Sequence, residues 1–375
     1  MTKLLIVFGT RPEAIKMAPL VREFRKYPEF FETKVCVTAQ HRAMLDQVLS
    51  FFEIIPDYDL NLMTPDQDLH SLTALVITSM KPVLKDFRPD YVMVQGDTTT
   101  TAATALASFY LGIKVCHVEA GLRTFNKRSP FPEEMNRQIT SLIADYHFAP
   151  TVAAQSNLLQ ERIGQNAILV TGNTVVDAIL WALDRVDKVS DPDIVSLKIL
   201  TETEQKIILV TGHRRENFGS GFENICRALK EIAQTEDVQI IYPVHLNPTV
   251  QSMVYDRLAG IPNIHLMDPL SYPAFVWLMK RSYLIITDSG GIQEEAPSIG
   301  KPVLVMRETT ERAEALESGH VMLVGTDPEK IIDSCKNLLH HAELYQRMSG
   351  TANPFGSGDA CEKIVKFITD LTIHR

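Results

Sequence analysis

Short apolar runs alternate with helix-period segments from one end of the chain to the other. LLIVF (4–8) precedes a segment that sets Ala14, Ile15, Ala18, Leu20, Val21 and Phe24 along one side of a helix. KVCVT (34–38) precedes a second helix carrying Met44, Leu45, Val48, Leu49 and Phe52, and a longer one over about 69–87 contains Pro82, which is expected to kink it. YVMVQG (91–96) leads through Asp97 into a Thr/Ala-rich helix (99–110), and KVCHVEAG (114–121) follows. A helix over 132–144, a strand over 146–149, a helix over 152–162 and a strand over 167–171 complete this part. Such alternation predicts parallel sheets with helices on both faces, an α/β fold.

Residues 184–205 are charged and poor in strand signal, which marks a linker. The pattern then restarts with KIILVTG (206–212), a helix over 222–233, VQIIYPV (238–244), a helix over 248–258, NIHLM (263–267) and a helix over 273–281. After YLIITDSGG (283–291) come KPVLVM (301–306), VMLVG (321–325) and two closing helices, the last over roughly 359–371. The expected organisation is a first domain at 1–183, a linker at 184–205, a second domain at 206–358 and a closing helical segment at 359–375. KLLIVFGTRPE (3–13) aligns with KIILVTGHRRE (206–216), so each half starts with a strand, a glycine turn and an arginine at a helix entrance. Two Rossmann-like, doubly wound halves predict such a repeat. Open α/β sheets bind ligands beyond the carboxyl ends of their strands, so two of them face to face would enclose a central cleft.

Composition narrows the partners. The 375 residues exceed one typical core, and 45% hydrophobic with 22% charged residues describes an ordinary soluble protein. A net charge of −9 argues against nucleic acid or an anionic membrane as the main partner. Five scattered cysteines form no CxxC pair, and no apolar run approaches membrane-spanning length. The expected location is the cytoplasm.

The chemistry collects at strand ends. Tyr283–Ser298 reads as a buried strand, a Thr-Asp-Ser turn and two glycines entering a helix near Ile292, with Glu294 and Glu295 in its first turn. Glycines let backbone N–H groups approach a ligand, and a helix N-terminus favours an anion. Arg11 and Lys16, then His213, Arg214 and Arg215, then Arg307 and Arg312 each stand just past a strand, which points to a diphosphate. Asp97 and Glu119 terminate apolar strands, and Glu133 and Arg137 stand four apart on one helix face. Carboxylates beside a phosphate site, with no His/Cys ligand pattern, suggest proton transfer rather than a metal. DYD (57–59), DQD (66–68) and DPD (191–193) read as turn residues. No strand–GxGxxG–helix fingerprint and no GxxxxGK[ST] loop occurs, which argues against a nicotinamide cofactor and P-loop chemistry.

Ten blocks carry a resemblance: GTRPEAIKMAPL (9–20), TAQHRAMLDQVL (38–49), QGDTTTT (95–101), HVEAGLRT (117–124), SPFPEEMNRQ (129–138), GHRREN (212–217), YPVHLNP (242–248), ITDSGGIQEEAPS (286–298), KPVLVMRETTER (301–312) and NPFGSGDA (353–360). Over nearly its whole length the chain resembles the non-hydrolysing bacterial UDP-N-acetylglucosamine 2-epimerases. That resemblance implies the GT-B fold, with the final helix (359–375) crossing back to the first domain, and interconversion of UDP-N-acetylglucosamine and UDP-N-acetylmannosamine. The hydrogen on sugar carbon 2 has no adjoining carbonyl to acidify it, so a neighbouring carbon must be oxidised or UDP eliminated. The resemblance implies elimination and re-addition of UDP through 2-acetamidoglucal, with no cofactor.

Carried over by position, Arg11, Lys16, Ser289, Gly290, Gly291 and Arg312 resemble the diphosphate contacts, Glu295 the ribose contact and Phe275 the uracil neighbour. His213 would stabilise the diphosphate. Asp97, Glu119, Glu133 and Arg137 match the catalytic set, with Asp97 and Glu133 for proton transfer and Glu119 in a supporting or general acid–base role. Gln40, Glu134, Arg214 and His245 match an activator site for a second UDP-N-acetylglucosamine, although Ala43 stands there where activated relatives carry a polar residue; Leu270 replaces a commonly polar residue near the uracil. Relatives imply a homodimer. A GT-B glycosyltransferase, a non-catalytic nucleotide-sugar binder and an epimerase for a di-N-acetylated UDP-uronic acid sugar are the competing readings. The three carboxylates speak against the first two.

Overall fold

The computed structural model describes every residue except 40–41, 64–66, 311, 351–352 and 374–375. Two compact units are present, Met1–Ala178 with Phe355–Arg375, and Ile179–Pro354.

The first unit holds seven strands: β1 (Thr2–Phe8), β2 (Phe31–Val37), β3 (Tyr58–Asp59), β4 (Tyr91–Gln95), β5 (Lys114–Val118), β6 (Tyr146–Ala149) and β7 (Ile168–Val170). They pair in parallel in the order β3-β2-β1-β4-β5-β6-β7. The second unit holds β8 (Lys206–Thr211), β9 (Val238–Pro243), β10 (Ile264–Met267), β11 (Leu284–Thr287), β12 (Val303–Val305) and β13 (Val321–Leu323), parallel in the order β10-β9-β8-β11-β12-β13. Both therefore follow the doubly wound Rossmann order, reversing direction between β1 and β4 and between β8 and β11. These are the two α/β halves expected of a GT-B chain.

Helices cover both faces, so central strands are apolar throughout. Leu4 to Phe8 are fully buried, and so are Ile208, Leu209 and Val210 of β8. Register is set by these runs: Ile6 lies beside Val35 and Met93, and Leu209 beside Ile241 and Ile285.

Several local expectations change. DYD is an edge strand, because Tyr58 and Asp59 pair with Cys36 and Val37 while Asp57 accepts the Val35 N–H at 2.8 Å. Asp66 of DQD lies outside the described residues, and Asp68 caps the helix Leu69–Phe87, which continues through Pro82 as one element. Residues 184–205 contain the helix Pro192–Leu200, capped by Asp191 and burying Ile194 and Leu197. Asp191 and Asp193 accept from the Ser271 hydroxyl (2.7 Å) and N–H (3.1 Å), which fastens that segment into the second unit. Its apolar pair at i and i+3 outweighs its surface charge. Three helices, not two, follow β13: Pro328–His340, Ala342–Ser349 and Ala360–Ile373. The last packs on the helix Arg11–Phe24 of the first unit, and Asp177 caps it by accepting the Ala360 and Cys361 N–H groups.

Candidate active site

In the first unit the reversal between β1 and β4 is fastened by Glu13. Thr10 and Glu13 form a reciprocal capping box at the helix Arg11–Phe24. One Glu13 oxygen accepts from the Gly9 and Thr10 N–H groups (3.1 and 2.8 Å) and the Thr10 hydroxyl (2.8 Å). The other accepts from the Thr98 and Thr101 hydroxyls beyond β4, at 2.7 and 3.2 Å. Burial pushes the Glu13 carboxyl up from its ordinary value, and these hydrogen bonds offset part of that. Gly9 is required there: a Cβ would lie 2.1 Å from the Thr38 hydroxyl oxygen.

The candidate catalytic groups stand around this corner in pairs. Lys16 Nζ reaches both Glu119 oxygens at 2.7 and 2.6 Å, and the Gln95 amide donates to the same carboxylate. Glu119 follows β5 in the left-handed region (φ 61°), at a cost of roughly 1–2 kcal/mol for a residue with a side chain. The charge pair holds it there. Arg137 Nη2 donates to Asp97 Oδ2 at 2.5 Å, and Asn136 donates to the Asp97 carbonyl at 3.0 Å. Arg137 is not paired with Glu133, four residues back, because its guanidinium turns toward Asp97 and lies 3.4 Å from Glu134. Its Nε and Nη1 are buried without a hydrogen-bond acceptor among the described residues. Glu133 is half-buried in the first turn of the helix Glu133–Ile143. Glu134 is fully buried and accepts the Thr124 and Phe125 N–H groups (both 3.0 Å) and the Gln138 amide (2.8 Å). Arg11 is half-buried at the start of its helix.

Beneath Asp97, His117 donates through Nε2 to the Gly96 carbonyl at 2.7 Å. Burial lowers its pKa to about 3 and that of neighbouring His147 to about 4, so both are neutral.

In the second unit the reversal between β8 and β11 is fastened by Asp288. Its Oδ2 accepts the His213 and Arg214 N–H groups at 2.9 and 2.8 Å and the Asn217 amide at 3.3 Å. Its Oδ1 faces His213 Nδ1 at 3.3 Å. Burial alone would push the Asp288 carboxyl up; the His213 ring and the two N–H groups overrule it and hold it below its ordinary value. His213 stacks on His245, ring centroids 5.3 Å apart. Burial, then His213, lowers the His245 pKa. Arg214 does not open an α-helix: a short 3-10 turn (Arg215–Asn217) intervenes before the helix Ser220–Thr235.

The glycine corner leaves a helix start without a side-chain cap. The helix begins at Gly290, two residues before the expected start, so Glu294 and Glu295 lie in its second turn. Ser289, at the N-cap, makes no side-chain cap bond, unlike Thr10. A Cβ on Gly290 would sit 2.6 Å from Arg312 Nη1, so only glycine lets that guanidinium lie against the helix start. Arg312 is oriented by Glu294, which accepts from its Nε at 2.8 Å. Gly291 faces open space. Glu295 is nearly buried, Phe275 is half-buried on the helix Tyr272–Arg281, and Arg307 pairs with Glu216 at 2.9 Å.

The structure thus brings Asp97 to Arg137, Lys16 to Glu119, His213 to His245, and Arg312 to Gly290. Gln40 lies outside the described residues. Sequence reasoning passed over Glu13, Gln95 and Asp288 as site-building groups, and read Glu294 as a first-turn carboxylate open to sugar hydroxyls where the structure pairs it with Arg312. A Thr-x-x-Glu capping box could have marked Glu13; the others become significant only when strands far apart in sequence are paired. Among the described residues no group of three or more His, Cys, Asp or Glu is placed to hold a metal, and no helix is long and apolar enough to cross a membrane.

The sequence profile of a family described as UDP-N-acetylglucosamine 2-epimerase matches residues 22–369. A UDP-N-acetylglucosamine 2-epimerase of Escherichia coli (strain K12) is 56% identical over 368 residues, covering 97% of each chain. The crystal structure of the Neisseria meningitidis UDP-GlcNAc 2-epimerase bound to UDP-GlcNAc superposes with a TM-score of 0.90 at 48% identity, covering 98% of this chain and 100% of that one. The Methanocaldococcus jannaschii enzyme in complex with UDP-GlcNAc and UDP gives 0.83 at 36% identity, again covering 98% and 100%.

Proposed function

The chain belongs to the UDP-N-acetylglucosamine 2-epimerase family, and from that premise we infer that it interconverts UDP-N-acetylglucosamine and UDP-N-acetylmannosamine. The proton on sugar carbon 2 is removed while the bond from carbon 1 to the diphosphate oxygen breaks, giving 2-acetamidoglucal and UDP. Return of a proton to the opposite face of carbon 2 and of UDP to carbon 1 completes the inversion, so no net redox change occurs. We assign proton transfer to Asp97 and Glu133, with Arg137 holding Asp97 in place and Glu119 in support. Ser289, Gly290, Gly291 and Arg312, joined by Arg11, Lys16 and His213, are the proposed diphosphate contacts; Glu295 and Phe275 are those for ribose and uracil.

One observation carries this reading. Paired, part-buried carboxylates at the ends of β4 and β5 accompany an uncapped, cation-lined helix start in the same chain. A transferase or a simple binder needs the second feature without the first. When UDP-N-acetylglucosamine is equilibrated with the protein in heavy water, the product gains one deuterium at carbon 2. Unlabelled UDP-N-acetylmannosamine, or no product, would sink the proposal.

Of the proposed activator contacts, Glu134 is committed to the backbone at 124–125, which leaves Arg214 and His245 as the described candidates. A cytoplasmic homodimer is the proposed working form, checked by sedimentation of the purified protein.

A further inference from the structure

His213 is held from three sides. Its backbone N–H is bound by Asp288 Oδ2, its ring stacks on His245, and its Nδ1 faces Asp288 Oδ1. The two carboxylate oxygens of Asp288 have different company. Oδ2 receives three donors, whereas Oδ1 is buried and receives no conventional hydrogen bond; the His213 ring is the group against it. A buried carboxylate oxygen left without a donor is costly, so the ring is stabilised with a proton on Nδ1.

We propose that Asp288 is the positioning residue for His213, fixing Nδ1–H inward so that Nε2 points away from the carboxylate and the ring can carry positive charge beside the departing diphosphate. This rests on the UDP-elimination reading above. Asp288 touches no reacting atom, and no covalent bond forms at His213. The bond that breaks is carbon 1 to oxygen, and the imidazolium stabilises the charge left on that oxygen. The titratable and charged groups around the ring among the described residues are Asp288, His245 and the neighbouring Arg214. Asp288 favours the imidazolium, while His245 and Arg214, when charged, oppose it.

Two measurements test the proposal. Nitrogen-15 shifts of the wild-type His213 ring should report the Nδ1–H tautomer when the ring is neutral, and the Nε2–H tautomer would overturn it. In Asp288→Asn the preference for the Nδ1–H tautomer should be lost, and kcat should fall about tenfold with KM and UDP affinity less affected. Placed in a His213→Asn background, Asp288→Asn should cost kcat nothing further. An unchanged tautomer in Asp288→Asn, or an equal kcat loss with and without His213, would overturn the role and leave Asp288 as a loop fastener. The tautomer measurement needs no turnover. If the wild type fails the heavy-water assay, the epimerase reading fails while the Asp288–His213 geometry is still read.

Discussion

The two strand-reversal corners have the same topology and opposite chemistry. Both begin with aligned segments, KLLIVFGTRPE and KIILVTGHRRE, and both are fastened by one buried acid. In the first unit that acid is Glu13, on the helix after β1, and its main donors across the reversal are threonine hydroxyls. The aligned Glu216 does not repeat this. It is half exposed and pairs with Arg307, while the buried role passes to Asp288 at the end of β11. The first helix start is closed by its own capping box, and the cations and carboxylates around it pair with one another. The second corner leaves Ser289, Gly290 and Gly291 uncapped beside Arg312. A repeated strand order thus carries a corner of paired charges in one unit and an uncapped, glycine-lined helix start in the other, which match the proposed proton-transfer and diphosphate roles.

The sharpest test separates turnover from binding. Asp97→Asn should lower kcat about a thousandfold while UDP affinity, measured by calorimetry, stays within about threefold. Equal losses in both would erase the division between the corners. Next in size is the contrast between aligned acids. Glu13→Gln should cost about 2 kcal/mol in urea denaturation, because an amide N–H₂ replaces an acceptor among buried donors, whereas Glu216→Gln should cost under about 0.5 kcal/mol as an exposed pair. The reverse order would break the comparison. Gly290→Ala should weaken UDP binding about tenfold, roughly 1.4 kcal/mol, by pushing Arg312 aside, and should also lower Tm. Gly291→Ala, with open space at its Cβ, should leave Tm unchanged; a matching drop in Tm would contradict the geometry.

The smallest effect concerns acid. His117 and His147 titrate near 3 and 4 when folded, against an ordinary 6.5. Below pH 6.5 the unfolded chain takes up protons that the folded one refuses. Stability from this source is therefore whole above that pH and declines as pH falls toward 4 and then 3. The urea midpoint should be lower at pH 5 than at pH 7, and hydrogen exchange should show the loss in the first unit. A rising midpoint, or loosening confined to the second unit, would refute the attribution.

Much of this was legible in one dimension. Strand–helix alternation and the apolar runs at 4–8 and 207–210 reveal two doubly wound halves, because a strand buried on both faces must be apolar at every position. Motif blocks with their turn glycines mark Asp97, Glu119 and Ser289 as strand-end residues. The helix at 192–200 was hidden by its surface charge, since only Ile194 and Leu197 report its buried side.

By itself, then, the sequence determined the fold class and most of the element order, written in local periodicity and turn residues, and the family, carried by its motif blocks. Only the tertiary structure decided the partners. Lys16 meets Glu119 across 103 positions, Arg137 meets Asp97 across 40, and Asp288 meets His213 across 75. A buried charge is tolerated only beside a complement, and parallel strands bring those complements together by register, which no spacing along the chain records.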